Sequence, residues 1–188
     1  LVLAASTGLS KTGYTFAGWN DGSTTSNAGT SVSVTSNKIY VAQWSAQSFT
    51  ISYSGNTPTS GSVTSGSYVA GGVPYAIAAN GFTKDGYTFA GWKDASNNSY
   101  TVGAGYSTAA NLALIAQWTA SSYVVSYNGN GSTGGNAPSS GTLTTGTNFN
   151  ASDNTGSLIK SGYTFDGWNT SAAGTGTNVS VGGVVTTT

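Results

Sequence analysis

Three copies of one seven-residue motif constrain this chain more than any other feature. Gly-Tyr-Thr-Phe-Ala-Gly-Trp occupies residues 13–19 and 86–92, and Gly-Tyr-Thr-Phe-Asp-Gly-Trp occupies residues 162–168. A second motif, Ala-Gln-Trp, occurs at residues 42–44 and 116–118. The tryptophans of the first motif are 73 and 76 residues apart, and those of the second are 74 apart. Because solenoid repeats usually span about 20 to 50 residues, this longer period predicts small domains in tandem, each with its own core.

The two motifs divide the 188 residues into three unequal repeats. We predict that repeat 1 covers residues 1–47 and holds the C-terminal part of a unit, and that repeat 2 covers a complete unit at residues 48–121. Repeat 3 is predicted to cover residues 122–188 without a closing strand, because no Ala-Gln-Trp follows Trp168. Two interpretations stay open: a fragment of a longer protein, and a subunit whose unfinished ends are completed by neighbouring subunits through strand addition.

Each repeat is predicted to open with a half-buried β-strand. Phe49, Ile51 and Tyr53 alternate with polar residues, and residues 123–127 repeat this period of two. Asn-Gly-Asn-Gly at residues 128–131 then favours a turn, and a weaker second strand is expected near residues 61–69 and 141–148. Residues 73–79, with Pro74 near their start, are the best candidate for a helical turn, so at most one short helix is expected in a repeat.

The first motif has the pattern of an interrupted strand. Tyr14 and Phe16 share one face, and Trp19 falls out of parity with them. A bulge at Gly18 would return the indole to that face, so we predict a bulge in all three copies. The Ala-Gln-Trp motif is predicted to be a closing strand, and only four residues separate its Trp from the opening strand of the next repeat. Such short joints predict a semi-rigid rod.

Composition excludes several classes of function. The chain has five Lys and five Asp, and no Arg, Glu, His or Cys. It therefore lacks a basic patch for nucleic acid or an anionic membrane, and it lacks the commonest general base, thiol nucleophile and zinc ligands. No apolar run reaches the roughly 20 residues of a membrane span. We expect no enzymatic activity, no cofactor, no nucleic-acid partner and no membrane insertion in this segment. The 28 Gly and the abundant Ser, Thr and Asn fit a secreted surface array.

These motifs resemble those of a known family. Lys84-Asp85-Gly86-Tyr87-Thr88-Phe89-Ala90-Gly91-Trp92 followed by Ala116-Gln117-Trp118, and the polar loop at residues 169–177, are similar to the Listeria–Bacteroides repeat, which includes the internalin B-repeat. The resemblance implies a mainly β chain of tandem, small β-grasp-like (ubiquitin-like) domains of about 75 residues. It also implies an extracellular or bacterial cell-surface location, where such repeats act as stalks, spacers or adhesin segments. It carries over no catalytic residue.

Two groups of side chains are candidates for a role beyond structure. Trp19, Trp92 and Trp168 could stack on sugar rings as a repeated glycan platform, and the alternative, which we favour, is that they form the cores of the repeats. Lysines at positions 11, 84 and 160 precede the motif by two residues. They are candidates for an isopeptide crosslink, or, as we favour because the chain has no Glu, for exposed turn lysines.

Five asparagines match the acceptor pattern of N-glycosylation: Asn97, Asn130, Asn150, Asn169 and Asn178. The five Asp are scattered singly, so the sequence predicts no calcium-binding array.

The leading hypothesis is a non-enzymatic structural protein: an extracellular stalk, spacer or filament that associates with itself or with other copies of the same array, for example by strand addition. The alternative is an adhesin-type binding module that recognises glycans or host proteins through exposed aromatic side chains or sheet edges. Exposure of the three motif tryptophans in a line would favour the alternative.

Overall fold

A computed structural model describes residues 1–187, which form β-strands, turns and loops, with no helix among them. The chain divides into two compact units, residues 1–83 with 90–117 and residues 84–89 with 118–188. The predicted repeat boundaries at 47/48 and 121/122 stay a prediction, and Thr188, the last residue of predicted repeat 3, lies outside the described residues.

The strands are short, and half of those described are found in the complete repeat. Repeat 1 contains β1 (Tyr14–Asn20), β2 (Thr25–Ser26) and β3 (Val41–Ala46). Repeat 2 contains β4 (Ser48–Ser54), β5 (Ser60–Gly61), β6 (Gly66–Val69), β7 (Tyr75–Ala76), β8 (Phe82–Thr83), β9 (Tyr87–Lys93), β10 (Ser99–Tyr100), β11 (Gly105–Tyr106) and β12 (Leu112–Ala120). Repeat 3 contains β13 (Ser122–Val125), β14 (Gly141–Thr144), β15 (Phe149–Asn150), β16 (Trp168–Asn169), β17 (Asn178–Val179) and β18 (Val184–Val185).

Repeat 2 builds a five-stranded mixed sheet with the strand order β10-β9-β12-β4-β6. The opening strand β4 pairs antiparallel with β6 on one side and parallel with the closing strand β12 on the other. Repeat 1 forms the sheet β2-β1-β3, whose strands match β10, β9 and β12. Repeat 3 contains the antiparallel hairpin β13-β14, which matches β4 and β6. Repeats 1 and 3 therefore each contain a different subset of the strands that form the sheet of repeat 2.

The opening and closing strands of repeat 2 lie side by side in its sheet and contribute buried side chains to its core. Ile51 and Ala116 are fully buried, and Leu114 is 1% exposed. Alternate residues of a strand face the same side, so the period of two in the sequence correctly placed these side chains inside. Burying an Ile or Leu side chain contributes roughly 1.5–3 kcal/mol, and a unit this small has few such residues.

The expected helical turn at residues 73–79 is wrong. Within that segment Tyr75–Ala76 forms β7, which pairs antiparallel with β11, and β15 pairs with β18 in the same way in repeat 3. A bridge between Val2 and Ser31 stands at the matching place in repeat 1. The local helix preference of an Ala-rich segment is overridden because its backbone groups bond to a loop far along the chain.

The predicted bulge is confirmed in repeat 1, where the pairing of β1 with β3 shifts register between Phe16 and Gly18. The Phe16 and Trp19 rings consequently meet edge to face, with their centroids 5.3 Å apart. Gly18 has a φ of 139°, and Gly91 and Gly167 have φ values of 133° and 122°. Only glycine adopts such angles without strain, which explains its presence in each copy.

We expect the substitution Gly91→Ala to lower the free energy of unfolding by about 1–3 kcal/mol, because a Cβ is strained at this φ. No atom lies within 4 Å of a Cβ built at Gly91, so the loss would report backbone strain and not a clash. Chemical denaturation measures the difference, with Ala90→Ser at the exposed neighbouring position as the control. A Gly91→Ala protein as stable as the parent would show that the bulge does not require glycine.

Candidate functional site

The motif tryptophan of each repeat donates its indole N–H to a backbone carbonyl that lies 14 to 16 residues earlier in the chain. The three bonds are Trp19 to the Ala4 carbonyl at 2.8 Å, Trp92 to the Ala78 carbonyl at 3.0 Å, and Trp168 to the Ser152 carbonyl at 2.7 Å. The same bond therefore recurs in all three repeats.

The segment that accepts the indole bond is also held by its backbone. In repeat 2 the Ile77 N–H donates to the Ala104 carbonyl at 2.9 Å, and the Gly103 N–H donates to the Ile77 carbonyl at 2.8 Å. Leu3 and Ala151 make the same two bonds with residues 29–30 and 182–183. The side chains of Leu3, Ile77 and Ala151 are all buried. Residues 3–4, 77–78 and 151–152 are therefore called the anchored segments.

A tyrosine completes the arrangement in repeats 2 and 3. The Tyr53 hydroxyl oxygen accepts a hydrogen bond from the Ala78 N–H at 2.8 Å, and that of Tyr127 accepts one from the Ser152 N–H at 2.7 Å. The two phenol rings lie 4.9 and 4.6 Å from the motif tryptophan of their repeat. Burial raises the pKa of Tyr53 to about 12, so its hydroxyl stays neutral. We call the motif tryptophan, the anchored segment and this tyrosine the indole clamp.

The three motif tryptophans differ in exposure. Trp92 is 1% exposed, whereas Trp19 and Trp168 are half-buried. Stacking on a sugar ring requires an open indole face, and Trp92 offers the least. The glycan-binding role of Trp19, Trp92 and Trp168 stays a prediction.

We expect Tyr53→Phe to lower the free energy of unfolding by about 1–3 kcal/mol, because the Ala78 N–H would lose its acceptor while the ring keeps its packing. Tyr163→Phe is the matched control, since Tyr163 is 73% exposed. Denaturant titration of the two variants and the parent measures the difference. Equal losses in both variants would show that the phenol bond to the anchored segment is unimportant.

Asp94 organises the loop that follows the motif in repeat 2. Its Oδ1 accepts the backbone N–H groups of Ser96 and Asn98, each at 2.9 Å. Its Oδ2 accepts the Asn98 side-chain amide at 2.9 Å and the Tyr100 hydroxyl at 3.0 Å. These bonds, with the Asn98 amide first, hold the pKa of Asp94 below its ordinary value.

Asp21 stands at the matching position in repeat 1. Its carboxylate accepts the backbone N–H groups of Thr24 and Ser23, and the Lys38 ammonium lies 3.2 Å away. The Thr24 and Ser23 bonds hold the pKa of Asp21 well below its usual range. Both carboxylates are thus engaged by their own loops, and residues 1–187 contain no group of three potential metal-ligating side chains.

We expect Asp94→Asn to lower the melting temperature at pH 7, because an amide nitrogen cannot accept the bonds that Oδ2 accepts. A carboxyl with a lowered folded pKa contributes stability above its unfolded pKa and loses it as the pH falls through the folded value. The difference from the parent should therefore shrink below pH 3.8, the ordinary value for Asp. Thermal melts across pH measure it, with Asp166→Asn, at an exposed carboxylate, as the control. A difference that does not vary with pH would exclude the charge as its cause.

Each lysine that precedes the motif lies over the motif tyrosine. The ammonium-to-ring-centroid distances are 4.1 Å for Lys11 and Tyr14, 4.9 Å for Lys84 and Tyr87, and 4.9 Å for Lys160 and Tyr163. Such cation–π contacts contribute about 0.5–1 kcal/mol at exposed sites. The sequence analysis did not predict these cation–π contacts, although the Lys lies three residues before the Tyr in every copy.

The predicted glycosylation acceptors lie mostly at the surface. Asn97, Asn130, Asn150 and Asn178 are exposed, and Asn169 is half-buried. The Asn169 amide donates to the Gly174 and Gly176 carbonyls and thereby closes the polar loop. Glycosylation at these five positions stays a prediction.

Repeat 3 contains a groove of about 860 Å³. Its walls are the turn after the opening strand, the segment before the motif, the motif strand and the polar loop, at residues 128–132, 158–160, 163–169 and 171–174. The matching strands of repeat 2, β4 and β9, flank the closing strand β12.

The Listeria-Bacteroides repeat domain family matches residues 2–43, 49–117 and 123–188. The chain therefore belongs to this family, and the resemblance inferred from the motifs is confirmed.

Two relatives come from Evansella cellulosilytica. One, named "Putative Gly-rich membrane protein", is 33% identical over 150 residues, which are 70% of this chain and 17% of the relative. The other, named "Putative membrane protein", is 28% identical over 171 residues, which are 88% of this chain and 25% of the relative. The chain thus spans a quarter or less of either relative's length. No solved structure matches it. Residues 1–187 contain no helix able to cross a bilayer.

Proposed function

We propose that this chain is a non-enzymatic structural segment of a bacterial cell-surface protein and serves as a stalk or spacer. The observation that carries the proposal is that the same contact joins successive repeats at both joints.

At the first joint, the Gly13-Tyr14 pair of repeat 1 docks on the opening hairpin of repeat 2. The Gln47 N–H donates to the Gly13 carbonyl at 2.8 Å, and the Ala70 N–H donates to the Gln47 carbonyl at 2.9 Å. The Tyr14 hydroxyl donates to the Ala70 carbonyl at 3.1 Å. A Cβ at Gly13 would lie only 2.8 Å from the Ala70 Cβ, so only glycine permits this approach.

The second joint repeats the two backbone hydrogen bonds. The Ser121 N–H donates to the Gly86 carbonyl at 2.8 Å, and the Thr145 N–H donates to the Ser121 carbonyl at 2.9 Å. A Cβ at Gly86 would lie 2.6 Å from a Thr145 methyl carbon. A defined joint between repeats is what a spacer requires, whereas an enzyme or a receptor does not depend on it.

The side-chain chemistry of the chain and the names of its relatives also support a structural role at the cell surface. The chain has no His or Cys, and the carboxylates of Asp21 and Asp94 are engaged by loop donors. The names of both relatives refer to a membrane, which supports a location at the cell surface or membrane.

The sheet order also supports a β-grasp relationship for each repeat. In β10-β9-β12-β4-β6 the first and last long strands, β4 and β12, are parallel neighbours, and β4 pairs antiparallel with β6 on its other side. We propose that repeat 2 is a β-grasp variant whose crossover, at residues 70–86, runs as extended chain with the short strands β7 and β8 in place of a helix.

We expect the double variant Gly13→Ala, Gly86→Ala to loosen both joints while the repeats stay folded. Hydrogen exchange at the Gln47, Ala70, Ser121 and Thr145 amides should accelerate by about tenfold or more, as a loss of about 1.4 kcal/mol produces. The Ile77 amide should keep its protection. Small-angle scattering should show a broader range of inter-repeat orientations than in the parent.

Gly162→Ala is the matched control. Gly162 has a φ of 82°, close to the 81° of Gly13 and the 73° of Gly86, but no atom lies within 4 Å of its Cβ position. It therefore imposes the same backbone strain without touching a joint. If scattering from the double variant equals that of Gly162→Ala, the joints do not set the arrangement of the repeats and the spacer proposal fails. Antibody labelling of intact cells tests the surface location.

A further inference from the structure

We propose that repeat 2 bears tension along the chain, and that the parallel pairing of its opening and closing strands resists the pull. The proposal goes beyond the stalk or spacer function, because a segment that keeps two surfaces apart need not resist being pulled. It rests on how the chain enters and leaves repeat 2 and on the bonds between β4 and β12.

The connections of repeat 2 to its neighbours are short. One residue, Gln47, separates β3 from the opening strand β4, and one residue, Ser121, separates the closing strand β12 from β13. A pull on the neighbouring repeats therefore reaches β4 and β12 directly, because no loop lies between them and the adjoining strands.

The two strands that receive this pull are parallel neighbours. Residues Ile51–Ser54 pair in register with residues Leu112–Ile115, and we call these paired residues the parallel ladder. The chain enters the ladder at its Ile51 end and leaves it at its Ile115 end. A pull therefore draws β4 and β12 in opposite directions along their own axes. If the two strands were antiparallel, entry and exit would lie at the same end, and a pull would separate the strands from that end.

The direction of the pull decides how many hydrogen bonds carry the load. The bonds of a parallel pair are evenly spaced along the strands. A pull along the strands loads these bonds together, whereas a pull across the strands loads them one after another. Because a single backbone hydrogen bond contributes little in water, resistance requires that several of them carry the load at once.

Two asparagine side chains extend the parallel ladder beyond its paired residues. Before the first pair, the Asn111 Oδ1 accepts the Thr50 N–H at 2.8 Å. After the last pair, the Asn56 amide donates to the Ala116 carbonyl at 3.1 Å. Both bonds join the segment of the opening strand to that of the closing strand, so the same pull loads them.

The side chains of the ladder also oppose sliding. Ile51 is fully buried, and Leu114 is 1% exposed. Because side chains alternate between two faces, pairing shifted by one residue would move such side chains away from the core face. The Tyr53 hydroxyl accepts the Ala78 N–H at 2.8 Å, and its ring lies 4.9 Å from Trp92. The opening strand therefore cannot slide without also disrupting the indole clamp.

The direction of the pull is tested by single-molecule force measurements on the full chain, whose lack of cysteine allows handles at chosen positions. Ser48→Cys with Thr119→Cys pulls along the ladder from exposed positions on β4 and β12. Ser52→Cys with Ala113→Cys pulls across the ladder, because these two residues are directly paired. Since evenly spaced bonds share the load in the first case, we expect its opening force to be about two- to fourfold higher. Chemical denaturation of both double variants measures any difference in stability, for which the forces are corrected.

The ladder itself is tested with Asn111→Ala in the chain that carries handles at positions 48 and 119. Forced unfolding is governed by the unfolding rate, so loss of the bond to Thr50 should raise that rate at a given force about two- to tenfold. Asn98→Ala is the matched control, because it removes a side-chain bond of 2.9 Å to Asp94 outside the ladder. An interaction that is still formed when the ladder breaks does not change the unfolding rate, so we expect this control to unfold like the parent.

The outcomes separate the parts of the proposal. Equal opening forces along and across the ladder would overturn the tension-bearing role. A higher force along the ladder, with equal effects of Asn111→Ala and Asn98→Ala, would overturn the ladder as the element that resists the pull. A higher force along the ladder, with faster unfolding of Asn111→Ala alone, supports both parts. These results do not depend on the joints at Gly13 and Gly86, so a failure here leaves the spacer proposal standing.

Discussion

The hydrogen bond from the motif indole to a backbone carbonyl is the interaction on which each repeat depends. Domains of this size bury little apolar surface, and the segment that crosses the repeat contains no helix to satisfy its own backbone. The indole of Trp92 and the phenol of Tyr53 satisfy the carbonyl and the N–H of Ala78 from opposite sides. The two large rings thus supply both apolar area and polar partners, which aliphatic side chains cannot do.

The positive-φ glycines of the motif serve two different purposes. At Gly18 the strand register shifts so that the Trp19 ring meets the Phe16 ring, and Gly91 and Gly167 have similar positive φ values. Gly13 and Gly86 permit the close approach of the next hairpin, where a Cβ would collide with it. Gly162 has the same backbone conformation as these two but open space around it. Glycines at two positions of one motif therefore act in different places, one within the strand and the other at a joint.

Much of this fold could be predicted because its signals are local. The period of two placed Ile51 and Leu114 inside, and the parity of Trp19 revealed the bulge. The helical turn predicted around Ala78 was wrong. The conformation of this segment depends on hydrogen bonds to residues 25 or more positions away in the sequence, among them Tyr53 and Ala104. Helix propensity describes the conformation that a segment prefers in isolation. In this protein, hydrogen bonds to distant backbone groups and aromatic side chains override that preference. The groove of repeat 3 was not predicted from the sequence, because its shape depends on how four separate segments are arranged.

Apart from the Lys–Tyr contacts and the loops of Asp21 and Asp94, the repeated contacts of this protein are uncharged. The indole clamp uses a carbonyl, an amide, a phenol and an indole, and the joints use backbone groups and a tyrosine hydroxyl. The ion pair of Lys38 and Asp21 lies at the surface, where such pairs contribute little. Salt screens exposed charges but leaves buried neutral hydrogen bonds almost untouched. The free energy of unfolding of this segment should therefore vary little between dilute and saline surroundings.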